Sequence, residues 1–210
     1  MTVPQNSPPM EADAIIVGGG FSGIYILHRL RDQLGLNVKI IEEKSDLGGV
    51  WHRNIYPGAR VDSPSPVYGF GIEEVHKIWT WSQAYPGQAE LQAYFKHVDS
   101  VLSIKKDCIF NTRVNGASFN PEIAKWIVRT EDGRTAVAKY FIPAIGFAAL
   151  EHVPDWRGID SFKGTIHHSS NWPCNGVDVK GKHVAVIGTG ATAIQIIQEW
   201  AKEAGELFVF

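Results

Sequence analysis

A short apolar run at residues 14–17, without alternation, predicts a strand covered on both faces. Directly after a glycine turn, Ile24, Leu27, Leu30 and Leu34 recur at helical spacing. They predict a helix over 21–34, with Gly35 in the left-handed position that closes it. Residues 38–41 form a second run of the first kind and end in Glu42 and Glu43. A long aperiodic stretch follows. Leu91, Tyr94, Phe95, Val98 and Leu102 then share one face of a helix that follows a loop from Trp79. Residues 109–119 and 125–137 read as strands, the latter broken by a hairpin turn at Asp132-Gly133, and together predict a small antiparallel sheet inserted into the domain. Residues 140–144 return as an apolar strand. Pro143 is an awkward member, because proline removes a ladder hydrogen bond and prefers an edge or terminus. Near the end, residues 183–187 predict a strand, 193–204 a helix and 207–210 the start of another strand.

The turns between these elements carry the chemistry. Gly18, Gly20 and Gly23 form G-x-G-x-x-G between a strand and a helix, with an acid at the end of the next strand. Gly18 permits the tight turn, Gly20 lets backbone amides approach a pyrophosphate, and Gly23 lets the helix pack on the strand. Phe21 and Ser22 open the helix, whose N-terminus supplies positive field, and Glu42 is placed to accept hydrogen bonds from a ribose diol. The alternative for one such motif is a sharp turn in an α/β fold that holds no nucleotide. A second motif, G-x-G-x-x-A over Gly188, Thr189, Gly190, Ala191, Thr192 and Ala193, follows the late strand. Two strand-glycine-helix units are far more specific than one, and enzymes that hold two dinucleotides commonly pass a hydride between them. The fold class is therefore α/β with two Rossmann-like dinucleotide-binding folds, both incomplete in this chain. The divisions are residues 1–150 for the first fold, 151–180 for a linker and 181–210 for the start of the second.

Between the first fold and the long helix lies a loop punctuated by Gly48, Gly49, Pro57, Gly58, Pro64 and Pro66, with Trp51, Tyr56, Tyr68 and Phe70 as apolar anchors. It reads either as a cover over a cofactor or as a satellite aromatic cluster. Asp62 lies among these aromatics and needs hydrogen bonds or a cation, yet no cationic partner is evident nearby. A formal net charge of -2, with 44% hydrophobic and 20% charged residues, excludes a basic nucleic-acid surface. The two cysteines, Cys108 and Cys174, lack metal-ligand or disulfide-framework spacing, so no metal site is expected and idle thiols are. Residues 1–11 are polar, with no apolar leader, and no run is long enough to span a bilayer, which points to a cytoplasmic protein. Trp79, Trp81, Trp126 and Trp200 read as packing residues, Tyr85-Pro86-Gly87 as a turn, and His167 as a bystander to His168.

One stretch, residues 162–173, has neither helical nor strand period. It carries F-x-G-x-x-x-H-x-x-x-W-P as Phe162, Gly164, His168, Trp172 and Pro173. The loop adds Gly49, Trp51, Tyr56, Pro57, Gly58 and Asp62 in a G-x-W, Y-P-G, Asp order. With the two glycine motifs in sequence, the chain resembles the N-terminal part of a Baeyer-Villiger monooxygenase, a class B flavoprotein monooxygenase, over nearly its whole length. The resemblance implies FAD and NADPH as cofactors and a small-molecule ketone and O2 as substrates. It implies that Gly18, Gly20, Phe21, Ser22, Gly23 and Glu42 hold FAD together with Gly49 and Val50. Val114 would meet the adenine through its backbone, and Trp51, Asp62 and Tyr68 would line the flavin. Gly188, Thr189, Gly190, Ala191 and Thr192 would hold NADPH.

Asp62 and His168 carry the catalytic expectation: Asp62 orients an arginine from further along such chains, and His168 couples nicotinamide binding to oxygenation. In the family, reduced flavin and oxygen give a C4a-peroxyflavin that attacks the ketone and yields an ester or lactone.

The sequence departs from the family in three ways. It stops at Phe210, before any such arginine and before the rest of the NADPH fold. It carries Ala144-Ile145-Gly146 where the family has A-T-G. It leaves an apolar final strand with nothing to cover it, so a complementary chain, self-association or residues beyond Phe210 are expected there. The alternative is a shortened relative that isomerises, dehydrates or cyclises, or serves as a binding scaffold.

Overall fold

The computed structural model describes residues 8–210. The polar reading of residues 1–11 therefore falls mostly outside the described residues. In chain order the elements are β1 (Met10–Val17), α1 (Phe21–His28), which widens into a π-helical turn at Arg29–Gln33, and β2 (Val38–Ile41). Then come α2 (Val50–Arg53), α3 (Glu73–His76), α4 (Gln88–Leu102), β3 (Cys108–Ile109) and β4 (Val114–Asn120). β5 (Lys125–Thr130), β6 (Thr135–Pro143), β7 (His183–Val186), α5 (Ala191–Trp200) and β8 (Glu206–Val209) complete the series. Among the described residues no helix is long and apolar enough to cross a membrane.

The chain divides into two compact units, neither of them contiguous. The first holds residues 1–49, 70–79 and 93–147, and the second 50–69, 80–92 and 148–210.

The first unit is built on a six-stranded sheet of order β3-β2-β1-β6-β5-β4. β1 pairs in parallel with β2 on one side and with β6 on the other, and β2 pairs in parallel with β3. β4, β5 and β6 form an antiparallel meander that ends in this same sheet. The separate inserted sheet expected from the sequence is thus corrected. The second arm of the Asp132-Gly133 hairpin and the returning apolar strand are one strand, because β6 is long enough to pair with β5 through Ala138 and with β1 as far as Pro143. Pro143 is its last residue, beyond the reach of β5, where the missing N–H costs no ladder bond. The single strand expected over 109–119 is also corrected: Asn111, at φ 53°, turns the chain between β3 and β4.

Ile15, Ile16, Ile24, Leu27, Val38 and Ile40 are fully buried, which places α1 and both neighbouring strands around one core. Leu34 is 66% exposed, contrary to its expected place on the apolar face of the helix. The π turn holds fewer residues in register with that face and rotates Leu34 outward, and Gly35 closes the element at φ 68° as expected. Arg31 fixes the far side. It donates to the carbonyls of Leu102 and Ser103 at the end of α4 and to Asp107 at 2.8 Å, while Lys39 reaches the other Asp107 oxygen at 2.6 Å. Tyr94 and Phe95 on α4 are buried and pack with Phe21 and Phe70, and Trp79 stacks on His97. Trp126 packs between Phe119 and Phe141.

The second unit has β7 and β8 paired in parallel, with α5 between them in sequence. Its core is Tyr56, Ala59, Trp172, Val186, Ala193 and Ile196, with Trp200 against Trp172 at 5.4 Å. α5 begins two residues earlier and ends four residues earlier than the periodicity predicts. Its first turn starts at the glycine turn itself, with Gly190 in an extended cap conformation. Phe208, Val209 and Phe210 are exposed along β8.

Candidate nucleotide-binding and oxygenation site

The strand order reverses between β1 and β6, and a crevice opens at the carboxyl ends of strands at such a switch point. The first glycine turn lies there. Gly18 has φ 107°, its N–H is bonded to the carbonyl of Ile41, and a Cβ on it would stand 2.6 Å from the carbonyl oxygen of Ala144. Gly23 is pressed harder, since a Cβ there would fall 1.9 Å from the Gly18 carbonyl oxygen. Gly20 differs from both. A Cβ on it would meet only Gly49 Cα at 3.6 Å and Gly49 N at 4.0 Å, so the space in front of it is available to a ligand. Gly49, at φ 54°, is the matching glycine on the loop after β2. First-turn N–H groups of an α-helix have no acceptor within the helix, so Phe21, Ser22 and Gly23 present the amides of α1 at this turn. These features fit a dinucleotide pyrophosphate.

Glu42 is 6% exposed. One of its oxygens accepts from Gly19 N–H at 2.6 Å and the other from Lys44 N–H at 2.7 Å. The carboxylate thus ties the two loops together. A carboxylate oxygen has two acceptor sites, so each can still take one ribose hydroxyl. Val114 opens β4 and packs on the cluster of Ile15, Ile41 and Val128; Ile41 ends β2 and immediately precedes Glu42.

The remaining candidates lie in the second unit. Trp51 is buried on α2, and its indole N–H donates to the Tyr68 hydroxyl at 2.8 Å. Burial first, and then the charge of Asp62, push the Tyr68 phenol up, against the opposing hydrogen bond from Trp51, so Tyr68 stays a neutral phenol near pH 7. Val50 beside Trp51 is exposed. Asp62 is exposed too, so solvent can meet the hydrogen bonds its carboxylate needs. Its field nevertheless reaches Tyr68, so Trp51, Tyr68 and Asp62 form one group.

His168 caps the 3-10 turn Ser169–Asn171. Its Nδ1 accepts from the Ser170 N–H at 3.2 Å and lies 2.8 Å from the Ser170 hydroxyl, with a Glu151 oxygen at 3.8 Å. An N–H can only donate, so Nδ1 carries a lone pair and the neutral ring bears its proton on Nε2. The other fingerprint residues are structural. Trp172 belongs to the core, and Gly164 leaves room for Phe162, whose ring would lie 2.6 Å from a Cβ at that position. His167 lies against Trp172 at 6.0 Å between ring centroids.

At the second glycine turn, Gly188 has φ 111° and its N–H binds the Phe210 carbonyl at 2.7 Å. Neither Gly188 nor Gly190 would meet any atom within 4 Å through a Cβ, and Thr189 and Ala191 are exposed, so this cradle too has room for a phosphate. Thr192 points its hydroxyl to Tyr56 at 3.4 Å.

Two residues that sequence reasoning missed connect these pieces. Gln195 on α5 accepts from the Tyr56 hydroxyl at 3.1 Å and the Arg60 N–H at 3.3 Å, and donates to the Arg60 carbonyl at 3.0 Å. Gly58, at φ 77°, lets this loop close on the helix: a Cβ on it would lie 2.8 Å from the Gln195 carbonyl oxygen. Arg53, on α2 with Trp51, donates to the carbonyls of Ser170 at 2.8 Å and Ala149 at 2.6 Å. No local pattern marks either residue, because their partners, backbone groups apart from the Tyr56 hydroxyl, lie roughly a hundred or more residues away in sequence.

A family model described as an NAD(P)-binding Rossmann-like domain matches residues 16–82, and one described as L-lysine 6-monooxygenase/L-ornithine 5-monooxygenase matches residues 71–208. An FAD-binding monooxygenase of Aspergillus aculeatus (acrE) is 55% identical over 96% of this chain and 34% of its own length. Cyclopentanone 1,2-monooxygenase of Comamonas sp. is 38% identical over 98% of this chain and 37% of its own length. The solved structure of cyclohexanone monooxygenase from Rhodococcus sp. Phi1 bound to NADP+ superposes with a TM-score of 0.90 at 35% identity, over 97% of this chain and 38% of that one. The chain therefore spans little more than a third of the length of the relatives it matches. Over that span it belongs to the flavin-dependent monooxygenases, among them the Baeyer-Villiger enzymes, and corresponds to their N-terminal portion.

Proposed function

We propose that this protein inserts an oxygen atom beside a ketone carbonyl, giving an ester or lactone, with FAD and NADPH as cofactors. The observation that carries the reading is the composition of the second unit. It gathers the residues of the 162–173 fingerprint, the Trp51–Asp62 loop pattern and the second glycine turn around the core of Tyr56, Trp172 and Ile196. A bare scaffold has no need of His168 turned to present an Nε2 donor, or of an exposed carboxylate near a half-buried phenol that is bonded to an indole N–H. Relatives bearing ketone monooxygenase names support the same reading.

In this reading the first unit is the FAD-binding part. Gly18, Gly20, Phe21, Ser22, Gly23 and Gly49 hold the pyrophosphate on backbone, Glu42 the ribose and Val114 the adenine. Trp51, Val50, Tyr68 and Asp62 line the flavin. Gly188, Thr189, Gly190, Ala191 and Thr192 hold the NADPH phosphates, with residues 151–180 as the connecting segment. When bound, NADPH supplies the reducing electrons and FAD the oxygen-transfer chemistry. The chain's own residues do the rest: Asp62 keeps a negative field at Tyr68 and is placed to orient a cation, and His168 donates through Nε2. Trp51, buried within its own unit, keeps water from its side of this group, which strengthens these interactions.

The test is an anaerobic absorbance spectrum of the purified full-length protein with and without NADPH, followed by mass-spectrometric analysis of products from a panel of cyclic and linear ketones. A flavin band bleached by NADPH, with ester or lactone formed in air, is expected. Asp62→Ala and His168→Ala retain the band and lose most of the product. A colourless protein, or full turnover in both variants, sinks the proposal.

A further inference from the structure

We infer that Arg53 is a positioning residue for His168, setting the ring so that Nε2–H is the group it presents. The link runs through the backbone of one residue, Ser170. Arg53 grips the Ser170 carbonyl at 2.8 Å, and the Ser170 N–H on the same residue donates to His168 Nδ1 at 3.2 Å. The second guanidinium contact, to the Ala149 carbonyl at 2.6 Å, anchors the segment on the other side of His168 in sequence. One planar cation thus holds two carbonyls twenty-one residues apart in the chain, one on each side of His168. A guanidinium suits this task because its donors are rigidly spaced and its charge is permanent.

The surrounding structure gives this segment few other constraints. Phe147, Leu150, Val153, Trp156, Phe162 and Ile166 are all about half or more exposed, so packing alone does not fix the path between Ala149 and His168. Hydrogen bonds from Arg53 do so instead. Arg53 also closes α2, the four-residue helix that bears Trp51, so the same residue sets the segment carrying His168 against the one carrying the Trp51–Tyr68 pair. Glu151, at 3.8 Å from Nδ1, lies on the anchored stretch as well. Without the grip on Ala149 and Ser170, that carboxylate can draw a proton to Nδ1 and turn the ring.

The catalytic meaning of this arrangement rests on the proposed function, whereas the geometry does not, and the test separates the two. The FAD-containing full-length protein, labelled with 15N-histidine, is compared by long-range nitrogen–proton correlation with Arg53→Lys, Arg53→Met and Ser170→Ala, the His168 signals being assigned by their loss in His168→Gln. In the wild type His168 shows a single Nε2–H tautomer. Arg53→Met gives averaged shifts between the two tautomers, Arg53→Lys lies between, and Ser170→Ala, which keeps its N–H, leaves the tautomer unchanged. The ratio of oxygenated product to NADPH consumed falls in the same order, at least tenfold for Arg53→Met. If Arg53→Met does not fold, Arg53→Lys carries the comparison. An unchanged His168 spectrum in every folded Arg53 variant overturns the inference. Absence of oxygenation by a wild type that keeps the single tautomer overturns only the proposed function.

Discussion

Gly23 and Gly20 look alike in the motif, but the structure gives them opposite tasks, and replacing each by alanine separates fold from ligand. At Gly23 the added Cβ would lie 1.9 Å from the Gly18 carbonyl oxygen, 3.1 Å from its carbon and 3.4 Å from Ile16 Cγ2. Contacting carbon atoms settle about 3.5–4.0 Å apart, so the deficit at the nearest atom is well over 1 Å. The obstacle is main chain leaving β1, which no rotamer change removes. α1 must therefore lift from a core in which Ile16, Ile24 and Leu27 are fully buried. Overpacking of this kind costs about 1–3 kcal/mol, and a clash of backbone with backbone belongs at the upper end. For a chain of this size each kcal/mol moves Tm by about 2–4 °C, so Gly23→Ala is expected to melt about 6–12 °C below the wild type. At Gly20 the Cβ meets only Gly49, and the backbone, at φ −85° and ψ −167°, suits any residue. Gly20→Ala should therefore keep its stability within about 1 kcal/mol, the order of a helix-cap change, while losing FAD to the methyl group that fills the approach. Thermal unfolding by circular dichroism and the flavin absorbance retained after gel filtration read the two effects separately. A Gly23→Ala protein that melts within a degree of the wild type refutes the packing argument, and a Gly20→Ala protein that retains FAD refutes the cradle.

Three other outcomes are expected. Although burial pushes the Asp107 carboxyl up, hydrogen bonds from Lys39 and Arg31 hold it below its ordinary value of 3.8, so the stability it contributes is present above about pH 4 and is lost as pH falls through the folded value. Asp107→Asn should lower stability by about 1.5–3 kcal/mol at neutral pH and flatten the acid limb of a denaturation series, and an unaltered acid limb would rule this out. Burial, followed by the charges of Asp99, Asp107 and Glu42, pushes the Cys108 thiol up to about 12, whereas Cys174 is exposed. At pH 8 about one part in ten thousand of Cys108 is thiolate, so a disulfide reagent should titrate one thiol in the native protein and two after unfolding, and two fast native thiols would contradict the burial. Trp172→Ala, at the centre of the second unit's core, should cost about 3–5 kcal/mol, measured by denaturant unfolding, and a loss under 1 kcal/mol would show that the core closes without it.

The first strand-turn-helix-strand unit was legible because nearly every rule it obeys is local. A buried strand needs four apolar residues in a row, the helix needs its 3.6-residue stripe, and Gly18 and Gly23 are demanded by atoms only a few residues away or at the neighbouring strand's exit. The second glycine turn, the Asp132-Gly133 hairpin and Gly35 followed from the same kind of rule. The candidate site was legible as a set of residue types at set spacings. The side-chain arrangement within it was not, since the sequence places Asp62 among aromatics but not in water, and names His168 without its tautomer.

Where distant segments meet, local pattern ran out. Whether 135–143 is one strand or two depends on the length of its partners β1 and β5, not on its own residues. Leu34 keeps the helical period in sequence and loses it in space, because the turn around Arg31 opens to reach the end of α4 and Asp107. Arg53, and Gln195 at Arg60, act by hydrogen-bonding peptide groups, which every residue possesses, so no residue type at those partners' positions announces them. Apolar period and glycine geometry are properties of a few consecutive residues and were determined by the sequence alone. Solvent exposure, strand continuity and the direction of a hydrogen bond depend on which distant atoms arrive at a point, and only the tertiary structure decided them.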